Sequence, residues 1–169
     1  AEAIRTYEGP PVRWRLIGEG PMRDACQTLL ADLCIDGDGP GVVFEPWGPL
    51  LELPGRLASS DAILGIFGAT DKARRVIPNK VYQGLAIGRP VITASTSAYP
   101  ESLRANEDQG LFWALPGDTA SIQAAVNRLQ ARRTMLLTLG QAALTSYQAH
   151  FSNQVIAAGL NRILSLIEH

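Results

Sequence analysis

The sequence predicts an α/β fold: an open, doubly wound parallel sheet that ends in C-terminal helices. Three observations point to it. Short apolar runs alternate with amphipathic stretches, as in consecutive βαβ units. One run, Ala62–Phe67, is almost wholly apolar, as expected of a strand buried on both faces. Everything after Asp118 reads as helix. With 169 residues, 46% apolar and 18% charged, the chain is long enough for one domain with a real core.

Trp14–Ile17 reads as a short strand closed by Gly18-Glu19-Gly20-Pro21. Met22–Leu33 follows as a helix, with Met22, Cys26, Leu29, Leu30 and Leu33 on one face. After the turn-rich Asp36–Gly41, Gly41–Phe44 is a second strand, ended by Glu45-Pro46-Trp47-Gly48-Pro49. Leu50–Ser59 reads as a short helix interrupted by Pro54 and Gly55. The buried strand Ala62–Phe67 leads into a polar loop (Gly68–Arg75), a short helix (Lys80–Ile87) and a strand, Val91–Thr93. Pro100–Asn106 supplies a helical turn or two, and Leu111–Leu115 the last strand. Thr119 is the expected N-cap of a helix to about Ala131, with Ile122, Val126 and Leu129 facing inward. Thr134–His150 and Asn153–Ile167 are two further helices.

The net charge of −1 gives no bulk attraction for nucleic acid or acidic lipid, so no nucleic-acid partner is expected. Any phosphate recognition has to be local. Cys26 and Cys34 are too few for a disulfide framework and read as buried free thiols, which fits a reducing cytoplasm. His150 and His169 are far apart, and no Cys/His cluster has metal-ligand spacing, so no metal is expected. No apolar run approaches the ~20 residues of a membrane span. The opening residues Ala1–Arg5 read as a helix or loop already under way, as in a piece of a longer protein, and Glu168-His169 as candidate tag residues.

The segment richest in chemistry runs from Ile77 to Ile92. Asn79 is the expected N-cap of the helix beginning at Lys80, and Gly88 its left-handed terminator before Arg89-Pro90. Val81, Leu85 and Ala86 can face the sheet, while Lys80 and Gln83 share the opposite face. Unpaired N–H groups and the macrodipole make that helix start an anion site, and the preceding loop adds Lys72, Arg74 and Arg75. A phosphate at Asn79–Lys80 would leave Gln83 one turn further in, able to bond hydroxyls. A nucleoside diphosphate satisfies both demands. The bland reading is ordinary helix punctuation beside a solvated basic loop.

The run Pro78-Asn79-Lys80-Val81-Tyr82-Gln83-Gly84-Leu85-Ala86-Ile87-Gly88-Arg89-Pro90-Val91-Ile92 resembles the donor-site motif of group 1 glycosyltransferases of the GT-B fold. Three other segments resemble that family in the same order: Leu16–Pro21, Ser60–Leu64 and Gly110–Asp118. The resemblance implies that residues 1–169 are a single nucleotide-sugar-binding domain, the Rossmann-like C-terminal half of a longer two-domain transferase. It implies Gln83 at the position of a glutamate that accepts from the nucleotide ribose, and Asn79 and Lys80 at the diphosphate. A second family glutamate falls on Arg75, so the acidic pair is absent and no residue is assigned as catalytic. Arg74 and Arg75 could instead stabilise the leaving diphosphate. Gly18 and Glu19 would lie close to the donor, and Phe44 or Trp47 could pack on the base.

The expectation is therefore a cytoplasmic glycosyltransferase domain without cofactor or metal, which binds a nucleotide diphosphate sugar donor. Its acceptor, a glycan, lipid or small molecule, is open, as is peripheral attachment at the inner membrane face in the full-length protein. The acceptor-binding N-terminal domain and the Arg/Lys clamp that opens the family's C-terminal half would be missing, and the fragment alone inactive. The rivals are a non-catalytic nucleotide- or partner-binding module that has kept the fold, a nucleotide-sugar epimerase, and a flavodoxin-like receiver or cofactor domain. The epimerase is disfavoured by the isolation of His150, and the last by a first strand without acidic cluster or phosphate loop.

Overall fold

The computed structural model describes residues 1–167, so Glu168 and His169 lie outside the described residues. In chain order the elements are α1 (Glu2–Arg5), β1 (Arg13–Ile17), α2 (Arg23–Leu29), β2 (Gly41–Glu45), α3 (Leu53–Ala58), β3 (Ile63–Leu64) and α4 (Asp71–Arg75). There follow α5 (Asn79–Ala86), β4 (Val91–Ala94), α6 (Glu101–Arg104), β5 (Leu111–Ala114), α7 (Thr119–Ala131), α8 (Leu136–His150) and α9 (Asn153–Ile167). Single 3-10 turns follow α2 at Ala31–Leu33, lead into α3 at Leu50–Glu52 and join α7 to α8 at Arg133–Met135.

Every ladder is parallel, as expected, and the ladders fall into two groups. β1 pairs with β2 from Arg13 opposite Gly41 to Ile17 opposite Glu45. β4 lies between β3 and β5, with Ile63 opposite Val91 and Val91 opposite Leu111. Successive residues of β4 and β5 serve opposite faces, since side chains alternate across a strand. Val91 and Leu111 join one buried cluster with Val81, Leu85 and Leu103. Ile92 and Phe112 join another with Val126, Leu129 and Leu139. Helix α5 thus covers one face and α7 the other, which is the doubly wound arrangement, while α8 gives Ala143 to the first cluster and Leu139 to the second.

Several local expectations are corrected. The strand expected over Ala62–Phe67 is regular only at Ile63–Leu64, although bonds to β4 continue beyond it, Gly65 N–H to the Ile92 carbonyl at 2.7 Å and Ala94 N–H to the Ile66 carbonyl at 3.0 Å. Only Ile63 and Gly65 in that run are buried; the rest are half-buried. The polar loop expected before α5 contains α4, capped by Thr70, whose hydroxyl accepts from the Ala73 N–H at 3.3 Å. Pro54 does not break α3 but sits in its first turn, where a missing N–H costs nothing. Asp118, not Thr119, caps α7, its carboxylate accepting from the Ser121 N–H at 3.0 Å. Neither thiol is buried: Cys26 is half-buried and Cys34 exposed. Met22 is exposed rather than on the inward face expected of it, and the fully buried residue is Leu30, just after α2.

Helix α5 is seated on β3 and β4 by a glycine. A Cβ built at Gly84 would meet Val91 Cγ2 at 2.9 Å and Ile63 Cβ at 3.0 Å. The helix closes with paired bonds, Gly88 N–H to the Leu85 carbonyl at 3.0 Å and Arg89 N–H to the Gly84 carbonyl at 2.9 Å. Gly88 takes the left-handed conformation that this closure needs, with φ of 67°. At the other end of the chain, α9 has no buried residue, and Val155, Ile156, Leu160, Ile163 and Leu164 all remain exposed. Among the described residues no helix is long and apolar enough to cross a membrane.

A cluster of charges ties β1, β2 and α3 together. Arg15 grips Glu45 with two bonds, Nε to Oε1 at 2.6 Å and Nη2 to Oε2 at 3.1 Å. Arg56 adds a third, Nη2 to Oε2 at 2.7 Å. The hydrogen bond from Arg15 holds the Glu45 carboxyl down to about 2, with Arg56 adding to it against the opposing effect of partial burial.

Two outcomes are expected. Gly84→Val should destabilise the chain by roughly 1–3 kcal/mol in urea unfolding, because overpacking outweighs any gain in helix propensity. The folded-state value of Glu45 lies below its ordinary value of 4.5, so the stability it contributes is complete above that pH and is lost as pH falls towards about 2. Glu45→Gln should accordingly flatten the dependence of unfolding free energy on pH across that acid window. A slope identical to the wild type's would remove the carboxylate from this role.

Candidate functional site

In an open parallel sheet the loops after the strand ends form the ligand crevice, and the candidate residues gather there in part. Helix α5 begins beside the end of β3: a Cβ at Gly65 would lie 3.1 Å from Val81 Cγ2 in the helix's first turn. The N-cap is Pro78 in extended backbone, one residue before the expected Asn79, and no side chain caps the helix. A proline contributes a carbonyl but no capping side chain, so Asn79 opens the helix instead of sealing it. Val81 N–H already donates to the Pro78 carbonyl at 2.9 Å, so the groups the first turn offers to a ligand are the N–H groups of Asn79 and Lys80. Asn79 and Lys80 are both exposed at this point. Enough protein surrounds the Lys80 ammonium that desolvation lowers its pKa.

Gln83 lies one turn in and is half-buried, whereas Lys80, three residues before it, is exposed. It lines a groove of about 300 Å³ between α3 and α5, whose other walls are Leu50, Leu53, Pro54, Leu57, Ala86 and Ile87. Its amide is the one polar side chain among the residues that line this groove. Ala86 therefore turns to α3 rather than to the sheet, while Val81, Gly84 and Leu85 bury against it.

The turns after β1 and β2 come together. Gly18 has φ of 118° and donates its N–H to the Glu45 carbonyl at 3.1 Å. Trp47 packs across it: a Cβ at Gly18 would meet Trp47 Cε3 at 3.3 Å, so glycine is needed for both reasons. Trp47 is nonetheless 62% exposed, which leaves most of its ring free for a ligand. Phe44 is half-buried and engaged from within, with the Arg23 guanidinium 5.7 Å from its ring centre. Arg23 also bonds the Gly18 carbonyl and, at 3.2 Å, the Glu45 carbonyl. Of the two aromatic candidates, Trp47 is the one presented to solvent.

The remaining candidates are not drawn into the crevice. Glu19 is exposed. Arg74 donates Nε to the Ala69 carbonyl at 3.1 Å, and Arg75 stands 3.6 Å from Asp71 on the same short helix, with both side chains exposed. The groups that sequence reasoning missed are Arg15, Arg23 and Arg56. The available signal was Arg15, a charge flanked by apolar residues within the strand expected at Trp14–Ile17, where a buried charge requires a partner. Behind the crevice, Tyr99 donates to or accepts from Thr93 Oγ1 at 3.0 Å, and burial pushes its phenol up to about 12. It stays neutral and structural.

No family model and no curated protein matches this chain. Solved structures do. TarM superposes with a TM-score of 0.70 at 12% identity, over 95% of this chain and 30% of its own. HepE from Anabaena, in complex with UDP and glucose, gives 0.70 at 17%, over 97% and 43%. The catalytic domain of cholesterol-α-glucosyltransferase from Helicobacter pylori gives 0.66 at 13%, over 88% and 86%. The chain thus spans less than half of TarM and of HepE. The shared feature is the fold, with parallel strands covered on both faces and a helical C-terminus. The chain has the α/β fold of these GT-B glycosyltransferase structures.

Proposed function

We propose that this chain is the donor-binding domain of a glycosyltransferase, and that it holds a nucleoside diphosphate sugar at the start of α5. The observation that carries the reading is an open helix N-terminus at the strand ends, with Gln83 one turn further in beside an apolar groove. The N–H groups of the first turn and the Lys80 ammonium would take the diphosphate. The Gln83 carbonyl oxygen would accept from a ribose hydroxyl. Trp47, exposed beside Gly18, would pack on the base. Neighbours of the same fold that are described in complex with UDP or UDP-glucose support the choice of ligand class. The acceptor would be held by a further domain of the full-length protein, and transfer would happen between the two.

One observation favours a second reading, a non-catalytic nucleotide-binding module. Arg75 stands where the resemblance calls for a carboxylate, and it is exposed on α4, 3.6 Å from Asp71. Turnover of a panel of nucleotide-sugar donors by the full-length protein separates the readings: release of free nucleoside diphosphate supports the transferase, and binding without release supports the module.

Two further outcomes test the site itself. Gln83→Ala should weaken UDP binding roughly 2- to 10-fold in calorimetry, the scale of one net hydrogen bond. Unchanged affinity would remove Gln83 from the ribose. A bound diphosphate should raise the lowered Lys80 pKa, so binding takes up a proton and affinity falls as pH rises through that interval. Titrations in buffers of different ionisation enthalpy read that uptake directly, and Lys80→Gln should abolish it.

A further inference from the structure

Helix α3 has six residues and is held from three directions. Arg56, within it, donates through Nη2 to the Glu45 carboxylate at 2.7 Å and to the Pro46 carbonyl at 3.1 Å. Arg15 donates through Nη1 to the Arg56 carbonyl at 3.0 Å and to Ser59 Oγ at 2.6 Å. Arg89, which follows the end of α5, donates to the Ala58 carbonyl. The guanidinium groups of Arg15 and Arg89 thus meet the carbonyls of the last turn, where a helix terminus is negative.

These bonds join two parts of the candidate crevice. Pro46, whose carbonyl Arg56 holds, precedes Trp47, and the turn runs so close that a Cβ at Gly48 would stand 2.7 Å from Arg56 Nη1. On its other side α3 presents Leu53, Pro54 and Leu57 to the groove that Gln83 lines. The separation between Trp47 and Gln83 is therefore transmitted through α3.

We propose that Arg56 is a positioning residue for the donor nucleoside: it fixes Trp47 relative to Gln83, so that base and ribose are recognised together. This rests on the donor-binding reading above. Arg56 would touch neither base nor ribose. A planar guanidinium can serve the Glu45 carboxylate and the Pro46 carbonyl at once, whereas a lysine ammonium in its place would hold the turn less firmly. The diphosphate end of the ligand, at the start of α5, does not depend on this link.

Calorimetry with UDP and with inorganic pyrophosphate on the wild type, Arg56→Ala and Arg56→Lys tests the proposal. The wild type should bind UDP more tightly than pyrophosphate. Arg56→Ala should weaken UDP about tenfold, the scale of a lost charge-assisted hydrogen bond, and leave pyrophosphate unchanged. Arg56→Lys should fall between the two. Equal losses for both ligands, or no loss for UDP, would overturn the positioning role. If circular dichroism shows that Arg56→Ala does not fold, Arg56→Lys decides by the same comparison. A wild type that binds neither ligand refutes the donor reading first, and this proposal with it.

Discussion

The fold depends on how closely α5 lies on the β3–β4 pair. Gly84 brings the helix backbone onto Val91 and Ile63, while Val81 and Leu85, both fully buried, fill the space on either side. Interiors are packed to crystal density, so an added methyl group at this contact has nowhere to go. The seat also fixes the functional geometry. It places the first turn of α5 beside the end of β3 and turns Gln83 to α3. A helix set further from the sheet would lose both the core contact and the crevice.

Charge is used locally throughout. A net charge of −1 offers no long-range attraction for an anionic ligand, so recognition falls to fixed dipoles and a few placed cations. The strongest ionic cluster serves the scaffold: Glu45 is shared by Arg15 and Arg56, with about a fifth of each side chain exposed. Two guanidinium groups on one carboxylate satisfy the acid fully, and their remaining donors go to carbonyls and hydroxyls of α3 and the neighbouring turns. Removing one member strands the others in a partly dry site, which is why such clusters hold geometry tightly. At the start of α5, by contrast, no acid among the described residues pairs with Lys80, which is exposed to an incoming anion.

Much of the fold was legible because periodicity and punctuation act over short distances. Val91–Thr93, Leu111–Leu115 and the helices from Asp118 onward follow from apolar spacing, and Gly88 was readable as a left-handed terminator. Caps were misread by one residue at Asn79 and Thr119, because several polar or proline residues in a row compete for one backbone position. Helix α4 was missed since five residues with one buried alanine carry no periodic signal. The Glu45 cluster was invisible for a different reason. Its partners lie 11 and 30 residues away, and nothing in a linear sequence says which arginine meets which acid. Gln83 was found as a candidate, but its groove depends on α3, whose placement is tertiary.

The far end of α5 is also confined. A Cβ at Gly88 would stand 3.3 Å from the Gly140 carbonyl oxygen of α8, so two backbones meet there with no side chain between them. Tyr82 adds an edge-to-face contact with Phe151, 5.1 Å between ring centres. The helix is thus a strut braced against a stop: it cannot slide along its own axis away from the crevice without driving one main chain into another. Arg23 and Arg56 tie the turns after β1 and β2 as well, so any adjustment to a ligand is left to the segment between α4 and α5.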